Sequence, residues 1–179
     1  MALTVPRYSV SDLEHFPNDG NRYELLDGNL LVTPAPTFAH QAIALRIAMA
    51  FAELQANGHM QVVAPGAVVF PPGTHLEPDV LVIPPVASLD VSWQDIHEHW
   101  LAVDVLSPSS RVYDREFKRD AYFALGIREV WLVDIPDKAV EVCHARGSGT
   151  IMRDVVVWQA ADRTASLRID LSTLFAGVN

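Results

Sequence analysis

Two acids set inside strand-like apolar runs constrain this chain more than any other feature. "LEPDVLVIP" places Asp79 directly before Val80, Leu81, Val82 and Ile83, and "WLAVDVLSP" places Asp104 between Val103 and Val105. Runs this apolar read as strands covered on both faces. A carboxylate there is expensive to take out of water, so the fold must bring each acid a compensating group. If the two strands are neighbours in the sheet, the carboxylates converge. Converging carboxylates repel unless one is protonated or a cation lies between them. A hard cation such as Mg²⁺ is commonly held by one or two carboxylates. The structural alternative is an N-capping Asp79 and a salt-bridged Asp104, because ion pairs also place acids inside.

Around these runs the order of elements is mixed. "YSVSDLEHFP" reads as a short helix capped by Ser9 or Ser11 and stopped by Pro17. "RYELLDGNLLVTP" reads as a hairpin turning at Asp27-Gly28. "PTFAHQAIALRIAMAFAELQANG" reads as one long helix with Ile43, Ile47, Phe51 and Leu54 in a single stripe, ended by Asn57-Gly58. "MQVVAPGAVVF" reads as strand, turn or bulge, strand, with a helical turn expected near "SWQDIHEH". "SPSSRVYD" reads as a loop with Asp114 as a candidate cap, and "REFKRDAYFALG" as a helix closed by Gly126. "EVWLVDIPDKAVEVCHA" reads as a strand pair turning at Pro136-Asp137, and "MRDVVVWQ" and "SLRIDLSTLF" as late strand and terminal segments. These elements predict an α/β (α+β) fold, a mixed sheet flanked by helices, in one domain over residues 1–179.

Composition narrows the partners. The formal net charge of −9 argues against a broad non-specific grip on nucleic acid. The densest basic cluster is Arg111, Arg115, Lys118 and Arg119 in "RVYDREFKR". No apolar run is long enough to span a bilayer, and the N-terminus lacks a signal-peptide core, so a cytoplasmic protein with no membrane partner is expected. The lone Cys143 excludes an internal disulfide and a cysteine zinc cluster, and reads as inert packing. His97 and His99 in "DIHEHW" lack visible partners for a zinc site. There is no GxGxxG, Walker, GxSxG or HExxH motif.

Three further residues fit the acidic pair. On a helical wheel, Phe117, Ala121, Ala124 and Leu125 mark the apolar face of the later helix. Lys118 falls at its edge, where it must snorkel out or meet an acid. His40 lies one turn before the Ile43 and Ile47 stripe and points the same way, either as a structural histidine or towards a site. Glu24 in "YELLDG" is either a surface residue or a third carboxylate. Phe123, on the wet face of the Lys118 helix, with Trp93 and Trp100, suggests an interaction surface, with self-association as a homodimer the first reading. Scattered surface apolar residues are the alternative.

"YELLDGNLLV", a helix-opening histidine, "EPDVLVI" and "VDVLSPSSRVYDREFKRDAYFALGIREVWLVD" together resemble the family described as "putative restriction endonuclease", bacterial proteins of the PD-(D/E)XK nuclease superfamily. The resemblance runs over roughly residues 8–145. It implies a restriction-endonuclease-like core with Asp79 as the acid of the PD motif and Asp104 as the second acid. The family usually has a glutamate at that second place, and position 106 is Leu rather than the lysine of a D/E-x-K triplet. The resemblance implies that Lys118 supplies the missing ammonium and that Glu24 and His40 flank the same site. It further implies that Asp79, Asp104 and the Val105 carbonyl hold Mg²⁺ or Mn²⁺, with Glu24 as an added ligand, and that the activity is endonucleolytic hydrolysis of DNA. The alternatives are a nuclease-fold module, weak or inactive, that binds nucleic acid, a small ligand or a protein, and an enzyme acting on a smaller substrate.

Overall fold

The structure is a computed structural model and describes residues 6–107 and 117–178. Asp114, Arg111 and Arg115, named above as a cap and as parts of the basic cluster, lie outside the described residues.

A 3₁₀ turn at Val10–His15 opens the chain, with Ser9 and Asp12 forming a reciprocal capping box. The hairpin follows as β1 (Arg22–Leu26) and β2 (Asn29–Thr33). Asp27 and Gly28 both take positive φ at its turn, as a tight two-residue hairpin demands. The long helix is present in two pieces, α1 (Phe38–Ala50) and α2 (Ala52–Ala56), separated at Phe51. Ile43, Ile47 and Phe51 are buried as the stripe requires, and Leu54 packs beside them.

Strands β3 (Gln61–Val63), β4 (Val68–Phe70), β5 (Thr74–Leu76), β6 (Val80–Ile83) and β7 (Leu101–Val105) come next. Helix α3 (Arg119–Ala124) leads to β8 (Glu129–Asp134), β9 (Ala139–Ala145), β10 (Ser148–Met152), β11 (Val155–Gln159) and β12 (Ser166–Asp170), with α4 (Leu171–Leu174) last. The central sheet has the order β10-β9-β8-β7-β6-β3 and is mixed, with β7 and β8 parallel and the other pairs antiparallel. A second, antiparallel sheet has the order β2-β1-β5-β4, and β11 pairs with β12.

The expected strand pair in "MQVVAPGAVVF" is divided between two sheets, because β3 pairs with β6 while β4 pairs with β5. The crossing at Gly66 is tight. A Cβ there would stand 2.3 Å from the Leu81 Cβ, so only glycine lets the chain pass over β6. β5 and β10 were not expected from the sequence: β5 is three residues long, and β10 holds Gly149.

Alternation along the central strands divides the core into two layers. Val80, Val82, Val103, Val105 and Trp131 face α1 and the β11–β12 ribbon, where Trp158 packs edge-on against Phe51. Leu81, Ala102, Leu106 and Leu132 face Tyr122 of α3 and Val68 and Leu76 of the second sheet. All five residues of β7 are buried, as its composition predicts for a central strand.

Helix α3 meets the wheel expectation in part: Ala121 and Leu125 pack against the core. Phe117 is exposed and Ala124 is exposed, whereas Lys118 and Tyr122 are buried. Residues 117 and 124, seven apart, share an exposed face, and Lys118, Ala121, Tyr122 and Leu125 share the inward one, so the 100° step holds and the buried face is centred on Lys118 and Tyr122 rather than on Phe117 and Ala124. Phe123 and Trp93 pack against the core and Trp100 is buried within it, so these rings do not form the exposed surface expected for self-association.

Candidate active site

The sheet register explains why the two acids meet. β6 and β7 are antiparallel neighbours with Val80 opposite Val103 and Leu81 opposite Ala102. Continued one step, this register sets Asp79 opposite Asp104. Like charges facing across a sheet destabilise it unless they are compensated, and both are: Asp79 is 5 % exposed and Asp104 2 %.

Asp79 is held from three sides. Its Oδ1 accepts from Arg22 Nη1 at 3.0 Å. Its Oδ2 accepts from the Val105 N–H at 2.8 Å and stands 3.2 Å from His40 Nε2. Burial pushes the Asp79 carboxyl up, but the hydrogen bond and charge of His40, the Arg22 guanidinium and the Val105 amide outweigh it and hold the group below its ordinary range. It is the Val105 amide, not its carbonyl, that the structure brings to Asp79.

Asp104 is held by another cation. Lys118, 3 % exposed, places its Nζ 3.3 Å from Asp104 Oδ1 and 3.0 Å from Glu24 Oε1. Lys118 is thus no snorkelling residue: it shares the inward face with Tyr122 and Leu125 and meets two acids there. The Tyr122 hydroxyl lies 3.5 Å from the same Asp104 oxygen, at the outer limit of hydrogen bonding. Glu24 is buried and is no surface residue. Its Oε1 also accepts from the Glu77 N–H at 2.7 Å, which ties the second sheet to the start of β6.

His40 reaches the site because Thr37 caps α1, its hydroxyl accepting from the His40 N–H at 3.3 Å and fixing the first turn. Glu24, His40, Asp79, Asp104 and Lys118 all line one pocket of about 420 Å³, walled also by the Thr33–Thr37 segment, Val105 and Leu106. The sequence reading missed Arg22. The signal was present: Arg22 and Glu24 are two apart on β1 and so share a face of the strand.

Three carboxylates and two permanent cations line this pocket, with His40 beside them. The carboxylates are hard oxygen donors, the kind that Mg²⁺ or Mn²⁺ takes, and two carboxylates with water are enough for Mg²⁺. Among the described residues, no group of three or more His, Cys, Asp or Glu stands together as a ready metal cage. The donor chemistry therefore fits a cation held by Asp79 and Asp104, while Lys118 already bridges Asp104 to Glu24.

Comparison with known proteins shows the family and the fold. A family model described as "Uma2: Putative restriction endonuclease" matches residues 10–174. The solved structure of a protein from Anabaena variabilis, titled a putative nuclease belonging to DUF820, superposes with a TM-score of 0.73 at 15 % identity, over 96 % of this chain and 99 % of the other. A comparison with curated proteins found no match. No helix among the described residues is long and apolar enough to cross a membrane.

Proposed function

The chain belongs to this "putative restriction endonuclease" family, and from that premise we propose that its pocket is a phosphodiester site of nuclease type, acting weakly and with a divalent cation. One observation carries the reading: Glu24, His40, Asp79, Asp104 and Lys118 come from separate segments of the chain and line one pocket. Buried charges contribute little to stability compared with apolar packing of the same volume, so gathering this many in one place points to chemistry.

The residues have distinct tasks. Asp79 and Asp104 would hold Mg²⁺ or Mn²⁺, with the Val105 carbonyl and Glu24 as further oxygen donors. Such a cation lowers the pKa of a bound water and stabilises charge on a phosphate. Arg22 and His40 keep the Asp79 carboxylate ionised and fixed in direction. Glu24 holds Lys118 beside Asp104, where its ammonium can orient a water or meet phosphate charge. Aspartate at 104 is one carbon shorter than the glutamate usual in the family, which supports weak rather than full activity. DNA is the substrate implied by the family, and the net charge of −9 restricts contact to the neighbourhood of the pocket.

A second reading is a nuclease-fold module that binds nucleic acid, a small ligand or a protein without cleaving it. The bridge from Lys118 to Glu24 and Asp104, with no ready metal cage among the described residues, favours it. Calorimetric titration with Mn²⁺ separates the two. The catalytic reading expects binding at or below millimolar Mn²⁺ that Asp79→Asn abolishes. No binding by the unaltered protein selects the module.

A further inference from the structure

Helix α1 is apolar on two opposite faces. One face, with Ile43, Ala44 and Ile47, is buried against the central sheet. Phe38, Ala42, Leu45 and Met49 recur at steps of four, three and four and so line the other face. That face is bare: Phe38 is 90 % exposed, Leu45 59 % and Met49 64 %. The stripe runs roughly 16 Å along the helix. Beside it lies an open groove of about 350 Å³, whose walls include Phe38, Ala42, Leu45 and Pro65 and whose lining reaches Arg22 and Asp79.

We infer that this face of α1 pairs with the same face of a second copy of the chain. Knob and hole lie on one patch: Phe38 protrudes almost fully, and the adjoining groove is large enough for an aromatic side chain. A patch that carries both is self-complementary under two-fold symmetry. Charge agrees. In a chain of net charge −9, residues 38–50 contain no Asp or Glu, so like-charge repulsion between copies is small across this helix. Its one permanent cation, Arg46, donates instead to the carbonyls of Leu174 and Ala176 on its own chain. That leaves little on this face for a nucleic acid backbone, and Leu45 and Met49 offer no stacking surface for bases. The three large side chains expose roughly 400 Å², within the range of about 300–600 Å² for the largest patch on a typical monomer, which is often functional. A stable dimer buries about 800 Å² per partner, so the groove and its rim supply the remainder. The pair sets Phe38 of each copy towards the Arg22 and Asp79 side of the other.

Sedimentation velocity of the full chain at about 100 μM tests the inference. The unaltered protein is expected at twice the chain mass. Leu45→Glu and Leu45→Lys alone are each expected at the single-chain mass with unchanged far-ultraviolet circular dichroism, since residue 45 is exposed. Mixed in equal amounts, they are expected to recover the doubled mass, because opposite charges then face each other. A single-chain mass for the unaltered protein, or a doubled mass that neither substitution lowers, overturns it. So does a single-chain protein that binds single-stranded oligonucleotide and loses that binding in Phe38→Ala.

Discussion

Ionisable side chains gather around both ends of β7, and the two ends treat charge in opposite ways. At its start, His99 is buried with neither ring nitrogen hydrogen-bonded among the described residues. Burial, with the nearby His97, lowers its pKa from 6.5 to about 4, so it is neutral at neutral pH. Glu129, on the parallel neighbour opposite Leu101, is also buried, and its carboxyl is pushed up, with the Trp131 indole N–H donating to it at 2.6 Å. At the far end, Asp79 is held ionised and its neighbours bring it an opposite charge. Where β7 serves only the core, burial drives its ionisable neighbours towards neutrality. Where it borders the pocket, the chain supplies Arg22 and Lys118 to oppose its carboxylates.

Removing Lys118 has the largest expected effect. Lys118→Ala leaves Glu24 and Asp104 facing each other without their shared cation, and loses about 3–5 kcal/mol in urea unfolding at pH 7. Loss below about 1 kcal/mol would mean that the charges there are solvated after all. Arg22→Ala deprives Asp79 of one of its charge-assisted bonds but leaves His40 and the Val105 amide. We expect about 2 kcal/mol from the same measurement.

At the other end the signature is pH. A histidine with a depressed folded pKa contributes fully above its unfolded value near 6.5, and stability falls as pH drops towards about 4. Across that window His99 accounts for a loss of about 2–3 kcal/mol. Thermal unfolding of His99→Leu is expected to show a flatter decline between pH 6.5 and 4 than the unaltered protein, and an equal decline would remove His99 from the account. Glu129→Gln should be the mildest change, within about 1 kcal/mol at pH 7, because an amide oxygen still accepts from Trp131.

Much of this was legible in the sequence. The acids of "PDVLVI" and "LAVDVL" stood out because charge interrupts a pattern that otherwise fixes a buried strand. Lys118 was legible as a misfit on its helix, beside Tyr122 and Leu125, whereas Phe117 and Ala124 read as inward only because they are apolar and are in fact exposed. Which strands pair was not legible either. β3 and β4 lie within one short stretch but join different sheets, a choice made by packing around Gly66 rather than by local propensity. Arg22 was hidden by ordinariness, being one charged residue on a half-exposed strand until the fold set it against Asp79. The bare face of α1 was overlooked because Ile43 and Ile47 already accounted for the helix.

Cleavage tests the central claim most directly. Supercoiled plasmid incubated with Mn²⁺ and the unaltered protein is expected to be nicked slowly, and Asp104→Asn is expected to reduce the rate at least tenfold while the protein stays folded. No nicking by the unaltered protein at saturating Mn²⁺, or equal nicking by both, would contradict the claim that this pocket hydrolyses a phosphodiester.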